Sequence, residues 1–284
     1  MDLLKTKFVP VAIDQAYQRR QKDTEGDFYR QIAGQGPRSN FENTTQGLYI
    51  ADASGKLMAY NNNRGAERIQ ALMEKAIADF VAPKATPITA TKVDPRYHAE
   101  PPEGGLVVQV HTKILGGYSS PKDKWEKIFH SAIARDNLWI TKSEHEELVN
   151  GNFPRVLAER IARFHLIDNT RGEPPMWNQD EVSELEMKLV DGQITGHVVL
   201  KTATGSRGFE AELKGVVKVI DGKVTQFDCV AKGKYWGQGQ YTQGAPEGKF
   251  PLAVSFRLAD GKDTADDIPP QGSRFWTDGY LRPQ

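Results

Sequence analysis

Two Asp-Gly dipeptides constrain this chain more than any other feature. Asp191-Gly192 and Asp221-Gly222 each stand between segments that alternate apolar and polar residues. Asp-Gly accepts the left-handed backbone of a two-residue turn, so each reads as the tip of a β-hairpin. Leu185, Met187 and Leu189 lead into the first turn and Ile194–Leu200 leads out. Phe209–Ile220 leads into the second and returns as Val224–Ala231. Phe250, Leu252, Val254, Phe256 and Leu258 give a last strand, which Pro251 places at a sheet edge because proline cannot donate to a ladder. Leu106–Ile114 alternates in the same way, with Gln109, His111 and Lys113 on its polar side.

Helices fill the interval before the β-rich half. Ser120-Pro121 opens one whose apolar face is Trp125, Ile128, Phe129, Ala132 and Ile133. Ser143 to Glu146 reads as a capping box, and Pro154 starts a helix that buries Leu157, Ile161 and Phe164. Near the N-terminus, Phe8–Ile13 reads as a buried strand and Asp23–Gly34 as a helix. Gln46–Tyr60 is a hairpin turning at Asp52-Ala-Ser-Gly55, and Arg64–Val81 is an amphipathic helix. Five prolines between Pro83 and Gly105 mark a linker. The expected organisation is a unit at 1–82, a linker at 83–105 and an α+β domain at 106–284.

The 37 basic and 37 acidic residues cancel, so no net field favours nucleic acid or an anionic membrane as partner. No apolar run reaches the roughly 18–20 residues that span a bilayer. The expected localisation is cytoplasmic, or exported with its signal already removed. The one cysteine, Cys229, excludes an internal disulfide. It alternates in phase with Phe227 and Ala231, which makes it a buried small hydrophobe.

The order strand, helix, Thr44-Thr45-Gln46-Gly47-Leu-Tyr-Ile-Ala-Asp-Ala-Ser-Gly55, amphipathic helix resembles the C-terminal half of a thioredoxin-like domain. Gln46 stands where that family usually has its cis-proline, and no Cys-x-x-Cys is present. The resemblance therefore implies a scaffold or partner-contact role and no dithiol chemistry, unless the thiols lie upstream in a longer chain. The implied fold class is α+β: a partial thioredoxin-like α/β unit, a helical segment, and an antiparallel β-sheet that curls or forms an open barrel-like wall.

The densest polar cluster is His165-Leu-Ile-Asp168-Asn-Thr-Arg171-Gly-Glu173-Pro-Pro-Met-Trp177, a stretch that resembles a segment of bacterial proteins to which no activity attaches. His165 with Asp168 or Glu173 can act as an acid–base pair, and Arg171 can hold a carboxylate or phosphate. The structural alternative is that Asp168 and Asn169 form the turn while Arg171 and Glu173 lock it as an ion pair. A second group, Asp228 and Lys232 to Tyr241, sets Tyr235 and Trp236 between glycines, as a stacking platform would. The alternative there is that glycine and aromatic residues serve a strand bend. Arg207 reads as a solvated turn residue able to join either group. The six histidines, His98, His111, His130, His145, His165 and His197, show no zinc-site spacing, although His111 and His197 can converge across a sheet. No metal and no cofactor are expected. The leading expectation is a non-catalytic protein binding a small molecule or a protein partner. The alternatives are a hydrolase or lyase using His165, and a redox protein with upstream thiols.

Overall fold

The computed structural model describes every residue except 1, 64, 85–88, 90–93, 95, 96, 98, 275, 283 and 284. Arg64, His98 and part of the expected linker therefore lie outside the described residues. The chain divides into two units, residues 1–99 and 100–284.

In the first unit, helices α1 (Asp2–Lys7), α2 (Gln15–Gln18) and α3 (Thr24–Ala33) precede a hairpin of β1 (Leu48–Ala51) and β2 (Leu57–Asn61), followed by α4 (Ala66–Ala78). Asp23 caps α3, its carboxylate accepting from the Gly26 amide at 3.0 Å. Asp52 holds the hairpin turn by accepting from the Ser54 and Lys56 amides, and Gly55 takes φ +82°. Met73 and Ala76 of α4 pack with Ile50, flanked by Ile69 and Leu72. Phe8–Ile13 is not a strand. Phe8 touches this core, but Val9 and Val11 are 88% and 74% exposed. Pro10 interrupts the run and cannot donate to a ladder, and the only sheet described here is the two-stranded hairpin.

In the second unit, β3 (Leu106–Ile114), β4 (Ala134–Ile140), β5 (Val182–Val190), β6 (Gln193–Lys201), β7 (Gly208–Ile220), β8 (Lys223–Trp236) and β9 (Lys249–Leu258) form one sheet. The order is β4-β3-β9-β8-β7-β6-β5, antiparallel at every step. Asp191 and Asp221 both take φ +50°, with Gly192 at +75° and Gly222 at +70°, the double positive φ of a type I′ hairpin. No pairing closes β4 onto β5 among the described residues, so the sheet is not a closed barrel.

Three local expectations change. Strand β9 is central, between β3 and β8, rather than at an edge. Pro251 is tolerated because it lies one residue past the last β3 partner pair, Ile114–Leu252, and only its carbonyl is used, by the Leu115 amide at 2.8 Å. The capping box sits two residues earlier than expected: Thr141 caps α6 (Lys142–Val149) and Glu144 reaches back to its amide. Helix α5 (Lys124–Ser131) is capped by Asp123, not by Ser120. None of its residues is buried, and Trp125, Ile128 and Phe129 are exposed.

Alternate residues of β3, β6, β7, β8 and β9 bury one face, with Val108, Val254, Ala231, Leu213 and Val198 at or near zero exposure. Against it lies α7 (Arg155–Arg160), which runs into a π turn at Ile161–His165. That turn touches both edge strands, β4 and β5. Cys229 is buried on this face, as its phase predicts, and burial raises its thiol to about 12.

Candidate functional site

The π turn decides where the polar cluster goes. Its extra residue closes with the Leu166 amide on the Ile161 carbonyl at 3.1 Å and brings His165 towards the side of Arg160. Both then meet Tyr280 of α8 (Thr277–Leu281). His165 Nε2 is 2.7 Å from the Tyr280 hydroxyl, and Arg160 Nε donates to the Tyr280 carbonyl at 2.9 Å. The Tyr280 hydroxyl also accepts from the Trp139 amide at 3.4 Å. Nδ1 faces Asp136 Oδ2 at 3.1 Å, within ion-pair distance but without hydrogen-bond alignment. The other Asp136 oxygen accepts from the Asn137 and Gln271 amides. Burial raises the Tyr280 hydroxyl well above its ordinary value, against the opposing Arg160 charge. His165 is fully enclosed, with Phe256 edge-on to its ring.

The expected partners of His165 go elsewhere. Asp168 accepts from the Thr170 hydroxyl at 2.7 Å and pairs with Arg171 through its second oxygen. Glu173 pairs with Arg274 at 2.7 Å, not with Arg171. The chain from 166 to 177 leaves the π turn and returns to it: Trp177 donates its indole N–H to the Leu166 carbonyl at 2.8 Å and its amide to Arg163. Arg207 is buried rather than solvated. Its guanidinium lies 3.9 Å over the Trp177 ring and donates to the Pro175 and Met176 carbonyls.

The aromatic pair is likewise split. Tyr235 is buried between Phe209 and Phe250, and burial pushes its hydroxyl up to about 12. Trp236 lies on Gly208 with its N–H on the Gly205 carbonyl and Lys249 over its ring. Asp228 stays at the sheet surface, hydrogen-bonded by Gln226. His111 and His197 do not converge, because β9, β8 and β7 separate their strands. No cluster suited to a metal ion occurs among the described residues.

Of the expected binding residues, Arg171 lines a cleft. Its side chain is 2% exposed, and Nη2 is taken by Asp168. Nε and Nη1 have no acceptor among the described residues, and neither does the hydroxyl of Tyr118 have a partner. Arg171 and Tyr118 both line a cleft of about 520 Å³. The β3–α5 segment supplies Tyr118 and Lys122, α5 supplies Glu126, Phe129 and His130, and the β8–β9 connection supplies residues 243–247. Tyr118 and His130 stack at 3.9 Å with ring planes 12° apart. Burial raises the Tyr118 hydroxyl, opposed by the charge of Arg171. Asn169 Oδ1, in the same turn as Arg171, also lacks a donor.

A buried donor left without an acceptor costs about 1–3 kcal/mol, more when charged. An oxyanion would remove that cost at Arg171. The two guanidinium nitrogens are covered, so a ligand reaches them only if part of the wall gives way; α5, which buries no residue, is one such part.

Sequence reasoning missed Tyr118, Asp136, Glu144, Arg160 and Tyr280. Arg160 alone carried a signal, a charge within the Leu157–Ile161–Phe164 stripe. No helix among the described residues is long and apolar enough to cross a membrane. No protein-family model matches this chain, nor does any curated protein or solved structure.

Proposed function

We propose that this chain is a non-catalytic binding protein whose second unit holds a small oxyanion-bearing ligand at the Arg171 cleft. The observation that carries the reading is a guanidinium 2% exposed at a cleft wall with two nitrogens lacking acceptors, beside an unpartnered tyrosine hydroxyl. Asp168 fixes and orients Arg171, leaving its remaining donors to a ligand. His165 has a structural role in this reading, since full enclosure leaves no room for a substrate beside it.

Two further parts of the reading are architectural. Contact of both edge strands with one π turn supports a curled, open barrel-like sheet as the wall behind the site. The hairpin followed by α4 supports a thioredoxin-like remnant in the first unit, acting as scaffold or partner contact, although its expected first strand is not formed.

Calorimetric titration of the full chain with acetate, benzoate and inorganic phosphate tests the proposal. At least one anion should bind, and Arg171→Lys should weaken it about tenfold, because lysine keeps the charge but not the guanidinium geometry. Silence with all three anions would overturn it, as would unchanged affinity in Arg171→Lys.

A further inference from the structure

The charges and the donor arrangement around the cleft narrow the ligand, an inference that rests on the anion site just proposed. We infer that the ligand is a monocarboxylate with a flat or apolar body, not a phosphate or phosphate ester.

The charge balance comes first. Lys122 and Arg171 line the cleft together with Glu126 and Glu247, and Asp168 already neutralises part of Arg171. Two positive charges thus meet three negative ones, so no positive surplus remains for a dianion, and each further negative charge on a ligand is held less well.

Backbone donors point the same way. Phosphate sites draw on several free N–H groups at a helix start. Here the start of α5 is already satisfied: Asp123 Oδ1 accepts from the Trp125 and Glu126 amides at 2.8 and 2.9 Å, and Glu126 Oε2 accepts from the Lys122 amide at 2.7 Å. The buried side-chain donors left unpartnered at the cleft are one guanidinium and one phenol. Two donor groups match the two oxygens of a carboxylate.

The rest of the wall suits an apolar body. The stacked Tyr118–His130 pair, Phe129 and Pro246 border the cleft. A volume of about 520 Å³ far exceeds the need of a carboxylate alone and lies in the range of drug-sized ligand pockets, roughly 300–1,000 Å³. An aromatic ring can stack there on the Tyr118–His130 pair, preferring offset or edge-on geometry.

The test compares sodium benzoate, sodium acetate and inorganic phosphate by calorimetry on the full chain at constant ionic strength. Benzoate should bind at least about tenfold tighter than acetate, with no measurable phosphate binding. Tyr118→Phe should weaken benzoate about tenfold while leaving the melting temperature unchanged, the loss of one hydrogen bond to a charged group. Phosphate binding tighter than benzoate would keep the anion site and overturn the ligand class. Equal affinity for acetate and benzoate would overturn the apolar body. Unchanged benzoate affinity in Tyr118→Phe would overturn the carboxylate geometry. No binding of any of the three removes the anion site itself, and this inference with it.

Discussion

Glu144 and Arg160 form a two-bond ion pair inside the second unit, Oε2 with Nη1 and Oε1 with Nη2, each at 2.8 Å. Arg160 has no exposure, and its remaining donors go to the Trp139, Tyr280 and Leu281 carbonyls. Glu144 also accepts from the Thr141 amide, so one carboxylate caps α6 and anchors α7. The pair ties β4, α6 and α8 to the one guanidinium of α7.

Breaking that pair from one side should be costly. Arg160→Met strands a buried carboxylate and three carbonyls, and Glu144→Gln strands a buried guanidinium charge; each should destabilise by about 3–5 kcal/mol. The double variant should lose less than the sum of the singles, because neither charge is then left alone. Urea unfolding of the three variants measures this. Simple additivity would show that the two side chains act independently.

Gly172 sets the position of the loop that carries Arg171. A Cβ built there would sit 2.1 Å from the Tyr241 carbonyl oxygen, a backbone atom in the connection that also supplies one wall of the cleft. Gly172→Ala must therefore push the two loops apart, at about 1–3 kcal/mol for an overpacked contact. Anion affinity should fall along with stability, since Arg171 and residues 243–247 separate. A Gly172→Ala variant with unchanged affinity would show that the loop contact does not shape the site.

How much of this was legible depended on whether a signal was local. The Asp-Gly hairpins were, because φ near +50° at Asp191 and Asp221 is a property of two residues. Strand β4 was not: Ala134-Arg-Asp-Asn137 reads as polar, and its burial comes from distant groups such as the Gln271 amide on Asp136. The same applies to the site. Arg171 stood out as a cation in a polar turn, but Tyr118 lies more than fifty residues away in an unpatterned segment. His165 looked paired with Asp168 because they are three residues apart, yet its partners are Asp136 and Tyr280. Sequence proximity suggested the partner, and the π turn with the packing of α8 chose another. Pro251 misled for a related reason, since a proline marks the end of one pairing as readily as the edge of a sheet.

Alkaline pH should unfold the second unit before it exposes any reactive thiol. Burial raises Cys229 from 9.0 to about 12, Tyr235 from 10.0 to about 12, and Tyr280 well above 10.0. For each group the unfolded chain loses its proton first. Below pH 9 both states keep these protons, and the groups add no pH dependence. Above it the unfolded state binds fewer protons, so stability falls as pH rises through the window from 9 to about 12, by about 1.4 kcal/mol per pH unit for each titrating group. Unfolding midpoints should therefore be flat from pH 7 to 8.5 and drop steeply above pH 9. A thiol reagent at pH 8 should label Cys229 only at the rate of unfolding, because the folded state holds the sulfur buried and protonated. Rapid labelling of the native protein would contradict that burial, and a midpoint insensitive to pH 9–11 would contradict the raised tyrosines.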